Sequence, residues 1–214
     1  MDNRPKIELL QAEVDENDQS FFRLLCRRHV FWSFPSLPPA KISHWRLERW
    51  TSGQGHKGRT TAFCLRTGVY EAKCPLFNDI VVAKFARFPW EIRYIENETT
   101  AYQWISGHNI GPQFLGHLTE EGRVIGLLME HIPNARHASI QDFEICGQVL
   151  SRLHDLGVRH GDTNQSNFLV RDSKATLIDF DTAQKCDDRN LLLQEFENLT
   201  VCLKDQSRRG GGGL

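Results

Sequence analysis

Residues 159–183 read RHGDTNQSNFLVRDSKATLIDFDTA, and the arrangement of the rest of the chain follows from them. His160, Asp162, Asn164, Ser166 and Asn167 crowd into one short polar run with apolar sequence close on either side. Phe168 to Val170 and Ala175 to Ile178 are strand-like, and RDSK between them suits a turn. A hairpin folds back on itself, so its two open ends become neighbours. Asn167 enters this hairpin and Asp179 leaves it, while Asp162 lies in the loop that feeds the same end. The sequence therefore brings two carboxylates and one amide oxygen together. Hard oxygen ligands of this kind suit Mg²⁺, which takes one or two carboxylates and completes its shell with phosphate and water. One carboxylate is then free to accept a proton from, and orient, an attacking hydroxyl. Asp and Asn are also common turn formers, but turn formation alone does not explain their placement at the mouth of a hairpin.

Working outward, SIQDFEICGQVLSRLHDLG (139–157) puts Ile145, Val149, Leu153 and Leu156 on one helical stripe that ends at Gly157. Beyond the hairpin, RNLLLQEFENLTVCLKD (189–205) repeats the pattern with Leu192, Phe196, Leu199 and Leu203. The upstream half reads differently. HWRLERW, TAFCLR and DIVVAKFA are short and rich in β-formers, and further strands are expected near 113–118 and 123–130 around the turn TEEG. One helix, PWEIRYIENETTAYQWISG (89–107), interrupts them. The expectation is an α+β fold of two lobes: residues 41–132 β-rich and 133–214 short and mainly helical. Residues 1–40 form an extension in which SFFRLLCRRHVFW has helical spacing, broken by three prolines between 35 and 39. The terminal RRGGGGL is the one low-complexity stretch.

In DIVVAKFA, alternation places Ile80, Val82, Lys84 and Ala86 on one strand face. Lys84 thus points the way of apolar neighbours, where an unpaired ammonium is costly. Its natural partner is a carboxylate on the following helix. Tyr94, Glu98, Ala101, Tyr102 and Ile105 share one stripe there, so Glu98 is the favoured partner, with Glu91 second. Upstream, TSGQGHKG supplies Gly53, Gly55 and Gly58 in a G-x-G-x-x-G match, a weak signal alone but well placed for backbone N–H groups to cover phosphates. Its distance from Lys84 makes YEAKCPLFN (70–78) read as an insertion.

Hydrophobic residues make up 40% and charged residues 25%, which suits a chain able to bury a core. A formal net charge of -1 removes the basic excess expected of a nucleic-acid binder. Six scattered cysteines without a C-x-x-C pair suit reduced thiols rather than a disulfide framework or zinc site. No stretch approaches the ~20 apolar residues of a membrane span. These features favour an intracellular protein, cytoplasmic or nuclear, with no membrane partner.

HGDTNQSN resembles the catalytic loop of the protein-kinase-like superfamily, H-x-D with Asn five residues after the Asp, and LIDFD is similar to its metal-binding D-F-G segment. VVAK resembles the phosphate-binding strand lysine, and LLMEHIP (127–133) the hinge between lobes. The His-Gly-Asp form is that of aminoglycoside and choline kinases and of the compact kinases of the tRNA threonylcarbamoylation complex. The likeness covers roughly residues 45–185. It implies a two-lobed kinase-like fold that uses ATP and Mg²⁺ and phosphorylates a hydroxyl. Asp162 orients that hydroxyl, Asn167 and Asp179 hold Mg²⁺, Lys84 contacts phosphates and Glu98 positions Lys84. Gly53, Gly55 and Gly58 cover the phosphates, Met129 lines the adenine pocket, and the backbones of Glu130 and Ile132 bond the base. Three positions depart from the pattern. Asn164 stands where protein kinases carry Lys, Asp181 replaces the Gly of D-F-G, and no large helical subdomain follows. The expected acceptor is Ser or Thr of a protein, because no sizeable insertion follows the hinge; a small-molecule alcohol and a nucleotide-binding pseudokinase scaffold are the alternatives.

Overall fold

The computed structural model describes residues 7–14, 20–26, 30–31, 61–73, 77–120 and 123–205. Strands β1 (Ile7–Val14) and β2 (Ser20–Cys26) form an antiparallel hairpin. The helix expected over SFFRLLCRRHVFW is therefore replaced, over its first seven residues, by a strand. Two apolar pairs set apart by one polar residue, as in FFRLLC, suit either state, and an adjacent strand decides it by offering a ladder of backbone hydrogen bonds, here with one irregularity between Leu9 and Gln11.

The main sheet contains β3 (Val30–Phe31), β4 (Thr61–Arg66), β5 (Val69–Lys73), β6 (Val81–Phe85), β7 (Phe114–Glu120) and β8 (Arg123–Glu130). Its spatial order is β3-β7-β8-β6-β5-β4. The strand carrying Lys84 thus lies between β8 and β5, with Lys84 level with Leu127 on one side and Val69 on the other. Tyr70, Glu71 and Ala72 pair with Ala83, Val82 and Val81, so the first part of the expected insertion is a strand of the sheet. HWRLERW and the three glycines Gly53, Gly55 and Gly58 lie outside the described residues.

Helix α1 (Ile92–Ile105) follows β6. At its entrance Glu91 accepts hydrogen bonds from the backbone N–H of Arg87 at 2.6 Å and of Phe88 at 3.3 Å, and an Arg87 guanidinium N–H at 2.8 Å. Glu91 is committed to the helix start. The buried face of α1 runs Ile95, Glu98, Ala101, Tyr102, Ile105; the expected stripe shifts by one position at its start, since Tyr94 is exposed.

After β8 the chain forms β9 (Arg136–His137), α2 (Phe143–Asp155), β10 (Val158–Arg159), the hairpin β11 (Phe168–Arg171) and β12 (Lys174–Leu177), β13 (Gln184–Lys185) and α3 (Arg189–Lys204). Strand β9 joins β11 at the edge of the hairpin, and β10 pairs with β13. The fold is α+β, β-rich first and mainly helical after Pro133. The larger apolar core joins Ala101, Tyr102 and Ile105 of α1 and Leu127 and Met129 of β8 to Val149, Leu150 and Leu153 of α2, Phe168 and Leu177 of the hairpin, and Leu199 of α3. A smaller cluster of Ala72, Val81, Ala83, Leu118 and Leu128 lies on the sheet.

Candidate active site

The hairpin delivers its open end as its sequence requires. Phe168 pairs with Leu177, and the Ile178 N–H donates to the Asn167 carbonyl at 2.9 Å, so Asn167 and Asp179 stand at one mouth. The Asn167 side-chain amide donates to the Asp162 carbonyl at 2.9 Å and to its carboxylate Oδ2 at 3.1 Å. That use of the NH₂ group turns the amide oxygen away from Asp162. The other Asp162 oxygen, Oδ1, accepts from the Asn164 amide at 2.9 Å, and Asn164 in turn caps the short 3₁₀ turn Gln165–Asn167 by accepting from the Ser166 N–H at 2.8 Å. Asn164, at the position where protein kinases carry Lys, fixes the orientation of the carboxylate.

Beneath this loop His160 is fully buried. Its Nδ1 accepts from the Asp162 N–H at 3.3 Å, which leaves Nε2–H to donate to the Ile178 carbonyl at 3.1 Å. Burial holds the imidazole below its usual pKa, in keeping with a neutral ring that braces loop and hairpin together. Gly161 adopts φ +87, and a Cβ there would lie 2.8 Å from the Thr182 carbonyl oxygen, so the residue between His160 and Asp162 must be glycine. From α3, Glu195 accepts the backbone N–H groups of His160 at 3.1 Å and Gly161 at 2.7 Å, and the His154 Nε2–H at 2.8 Å. Burial raises the Glu195 carboxyl, but these donors outweigh it and keep the pKa below its ordinary value.

The second half of the site comes from the sheet and α1. Glu98 is fully buried, with Oε2 2.6 Å from Lys84 Nζ in a buried ion pair. Glu98 Oε1 accepts the Phe180 N–H at 3.4 Å. Lys84 Nζ also donates to Asp179 Oδ1 and lies 3.9 Å from Asp181. Arg66, at the end of β4, donates to Asp179 Oδ2 at 2.8 Å. Burial disfavours the Lys84 charge, yet Glu98, Asp179 and Asp181 more than offset it, so the ammonium's pKa rises. Burial likewise opposes ionisation of Asp179, but Lys84 and then Arg66 outweigh it and bring its pKa down to about 2. Glu98 and Asp181 move the other way, raised chiefly by burial. Asp179 itself has φ 66, a left-handed conformation that non-glycine residues hold where surrounding structure compels it. Asn97 of α1 provides part of that compulsion by donating to the Asp181 and Ala183 carbonyls at 2.7 and 2.9 Å.

Lys84, Glu98 and Asp179 are thus brought into direct contact, and Asp162 and Asn167 into another group at the same hairpin mouth. Met129 is buried in the core, its sulfur accepting the Tyr102 hydroxyl at 3.3 Å. The Glu130 N–H is already used by the Gln113 carbonyl at 2.9 Å, whereas the Ile132 N–H takes no hydrogen bond among the described residues. Arg66, Asn97, Asn164 and Glu195 were not singled out as site residues by the sequence. Among the described residues no group of three or more His, Cys, Asp or Glu is poised to hold a metal. The carboxylate of Asp179 and the Asn167 amide oxygen are instead donors of the kind that suits Mg²⁺ sharing its shell with phosphate and water, with Asp162 left outside that pair. Around it Asp162, Asp179, Asp181 and Glu98 outnumber Lys84 and Arg66, an acidic excess that a divalent cation would offset.

Residues 130–205 match a family model described as Lipopolysaccharide kinase (Kdo/WaaP) family. Over 90 residues the chain is 33% identical to a 3-deoxy-D-manno-octulosonic acid kinase of Vibrio parahaemolyticus, covering 37% of this chain and 38% of that protein. Over 59 residues it is 36% identical to a probable bifunctional tRNA threonylcarbamoyladenosine biosynthesis protein of Methanoculleus marisnigri, covering 26% of this chain and 11% of that one. The chain therefore spans well under half the length of the curated relatives it matches. Among solved structures it is similar to the Cydia pomonella granulovirus kinase PK-1, with a TM-score of 0.44 and 13% identity over 55% of this chain and 48% of that chain.

Proposed function

We propose that this chain, a member of the protein-kinase-like superfamily, moves the γ-phosphoryl group of Mg-ATP to the hydroxyl of a sugar. The observation that carries the reading is the meeting of Lys84, Glu98 and Asp179 beside the hairpin mouth that holds Asp162 and Asn167. Asp162 is oriented by Asn164 and Asn167 to accept the proton of the attacking hydroxyl. Lys84, held by Glu98, donates to phosphate oxygens, and Asp179 with Asn167 holds Mg²⁺. When bound, that ion neutralises charge between the β- and γ-phosphates. The Ile132 N–H is the backbone donor left for the base, while Gly53, Gly55 and Gly58 retain only the support of their sequence pattern.

For the acceptor, the preference for a protein Ser or Thr gives way to a small molecule. The family model over residues 130–205 and the longer of the two curated matches both name saccharide kinases. The test is transfer of labelled phosphate from Mg-ATP to 3-deoxy-D-manno-octulosonic acid and related sugars, alongside protein acceptors, by wild type, Asp162→Ala and Asp179→Ala. The expected result is labelled sugar with wild type and a loss of roughly 10²–10⁴ in rate with Asp162→Ala. Label on protein alone would displace the sugar reading, and turnover unchanged in both variants would end the phosphotransferase reading. A nucleotide-binding scaffold is the second reading, favoured by the occupation of both Asp179 oxygens by Arg66 and Lys84. It predicts Mg-ATP binding without transfer to any acceptor.

A further inference from the structure

Asp181 stands where the D-F-G segment of protein kinases carries glycine, and the phosphotransferase reading gives it no task. Its place is nonetheless fixed. Phe180 is fully buried, edge-on to Tyr102 with ring centroids 5.5 Å apart and tilted against His160 at 5.1 Å. Asn97 of α1 donates to the Asp181 carbonyl at 2.7 Å and so holds the backbone just beyond that ring. The aspartates on either side of Phe180 reach one ammonium. Lys84 Nζ donates to Asp179 Oδ1 and lies 3.9 Å from Asp181 Oδ2.

The carboxylates around the cleft differ in how fully they are engaged. Asp162 accepts from the Asn164 and Asn167 amides. Glu98 faces Lys84 and accepts the Phe180 N–H. The two oxygens of Asp179 are taken by Lys84 and Arg66. The Asp181 side chain, 30% exposed, accepts no hydrogen bond among the described residues, and Lys84 at 3.9 Å is its one ion pair there. A carboxylate partly withdrawn from water and given no donor has lost hydration that the fold does not replace. A hard divalent cation replaces it directly, through oxygens whose lone pairs are uncommitted.

We propose that Asp181 is a ligand of the metal ion alongside Asp179, so that the chain offers the cation two carboxylates where a D-F-G segment offers one. This rests on the phosphotransferase reading; the site is that of the nucleotide's metal, and the ligand is new. Affinity for hard cations rises with the charge their ligands carry. Asp179 and Asn167 by themselves suit an ion that arrives with phosphate oxygens. A second carboxylate doubles the formal negative charge presented to it, enough for the cation to bind ahead of the nucleotide.

The experiment measures binding to the full chain of three probes: Mn²⁺ alone, by loss of the free ion's paramagnetic resonance signal, ATP in the presence of a chelator, and adenosine. Wild type, Asp181→Asn and Asp181→Gly are compared. Wild type is expected to bind Mn²⁺ without nucleotide, and both variants to bind it roughly 10- to 100-fold more weakly, the range seen on removing even a residue that only orients a ligand. Metal-free ATP, relieved of a repelling charge, binds the variants no more weakly than wild type, and adenosine is unchanged. The loss of Mn²⁺ affinity persists at high salt, because salt screens a through-space charge but not coordination. Asp181→Gly decides the matter should Asp181→Asn fail to fold. Wild-type Mn²⁺ affinity in both variants, or a loss that vanishes at high salt, overturns the ligand role while leaving the phosphotransferase reading intact. Wild type that takes up Mn²⁺ only together with ATP does the same. Parallel weakening of adenosine makes Asp181 a structural residue and overturns the proposal equally. Folded wild type that binds neither Mn-ATP nor adenosine overturns both.

Discussion

Asp179 shows at the level of a single residue how the site is built from opposed charges. Its carboxyl is buried enough to resist ionisation, yet Lys84 and Arg66 bring its pKa down to about 2. The unfolded chain binds this proton near pH 4, so the stabilisation it confers is complete above that pH and is lost as pH falls toward 2. Asp179→Asn lacks this dependence. The expected outcome is a difference in unfolding free energy between wild type and Asp179→Asn that shrinks by about 2 kcal/mol between pH 4 and pH 2, measured by urea unfolding across the range. A difference that is flat with pH would show that the two cations do not hold Asp179. Asp162, Asn167 and Asp179 were legible in the sequence because a single hairpin, encoded within some twenty residues, places all three. Arg66 was not: it meets Asp179 across 113 residues of separation, and no local pattern distinguishes it from any arginine at a strand end.

Elements were legible where one periodicity dominated. Strands β6, β7 and β8 and helices α1 and α2 have apolar spacing that only one state satisfies. The segment Ser20–Cys26 failed because its two apolar pairs fit a helix stripe and a covered strand alike, and the deciding partner was another strand. The glycines at 53, 55 and 58 drew attention from the turn Thr67-Gly68, which bears a single glycine and no motif, yet lies beside Lys84. Helix α3 carries the most consequential element contact. Glu195, buried at 5% exposure, reaches the backbone of the His160–Gly161 segment that sets Asp162. Glu195→Gln replaces one acceptor oxygen by an NH₂ facing those backbone donors, and the buried mismatch costs about 1–3 kcal/mol. The expected pattern is a lower denaturation midpoint together with a reduced kcat and an unchanged affinity for Mg-ATP, because Glu195 acts on the orientation of Asp162 and touches nothing that meets nucleotide. Equal loss of nucleotide affinity would place the effect on the fold at large.

At the scale of the molecule, the interior does not stop where the β-rich part ends. The larger core packs α1 and β8 together with α2, the β11–β12 hairpin and α3, so the junction near Pro133 crosses a continuous apolar mass. The sequence marked this junction by a change in composition. Its periodicities could say which faces were apolar but not which of them would share one core, since that depends on contacts between distant segments. Across the same region α1 is fastened to the 3₁₀ turn Phe180–Thr182 by Asn97, with its two carbonyl partners, and by Glu98, which receives the Phe180 N–H. The helix and the aspartate-bearing segment consequently have no independent freedom. In heavy water, the amide proton of Phe180 and those of the middle turns of α1 should be replaced by deuterium at one common rate, that of opening the whole assembly. Rapid labelling of Phe180 while α1 stays protected would reveal a swinging segment instead. With a shared rate, the cleft is set before any reactant reaches it, and control over when this chain works falls to the supply of its reactants rather than to a moving part.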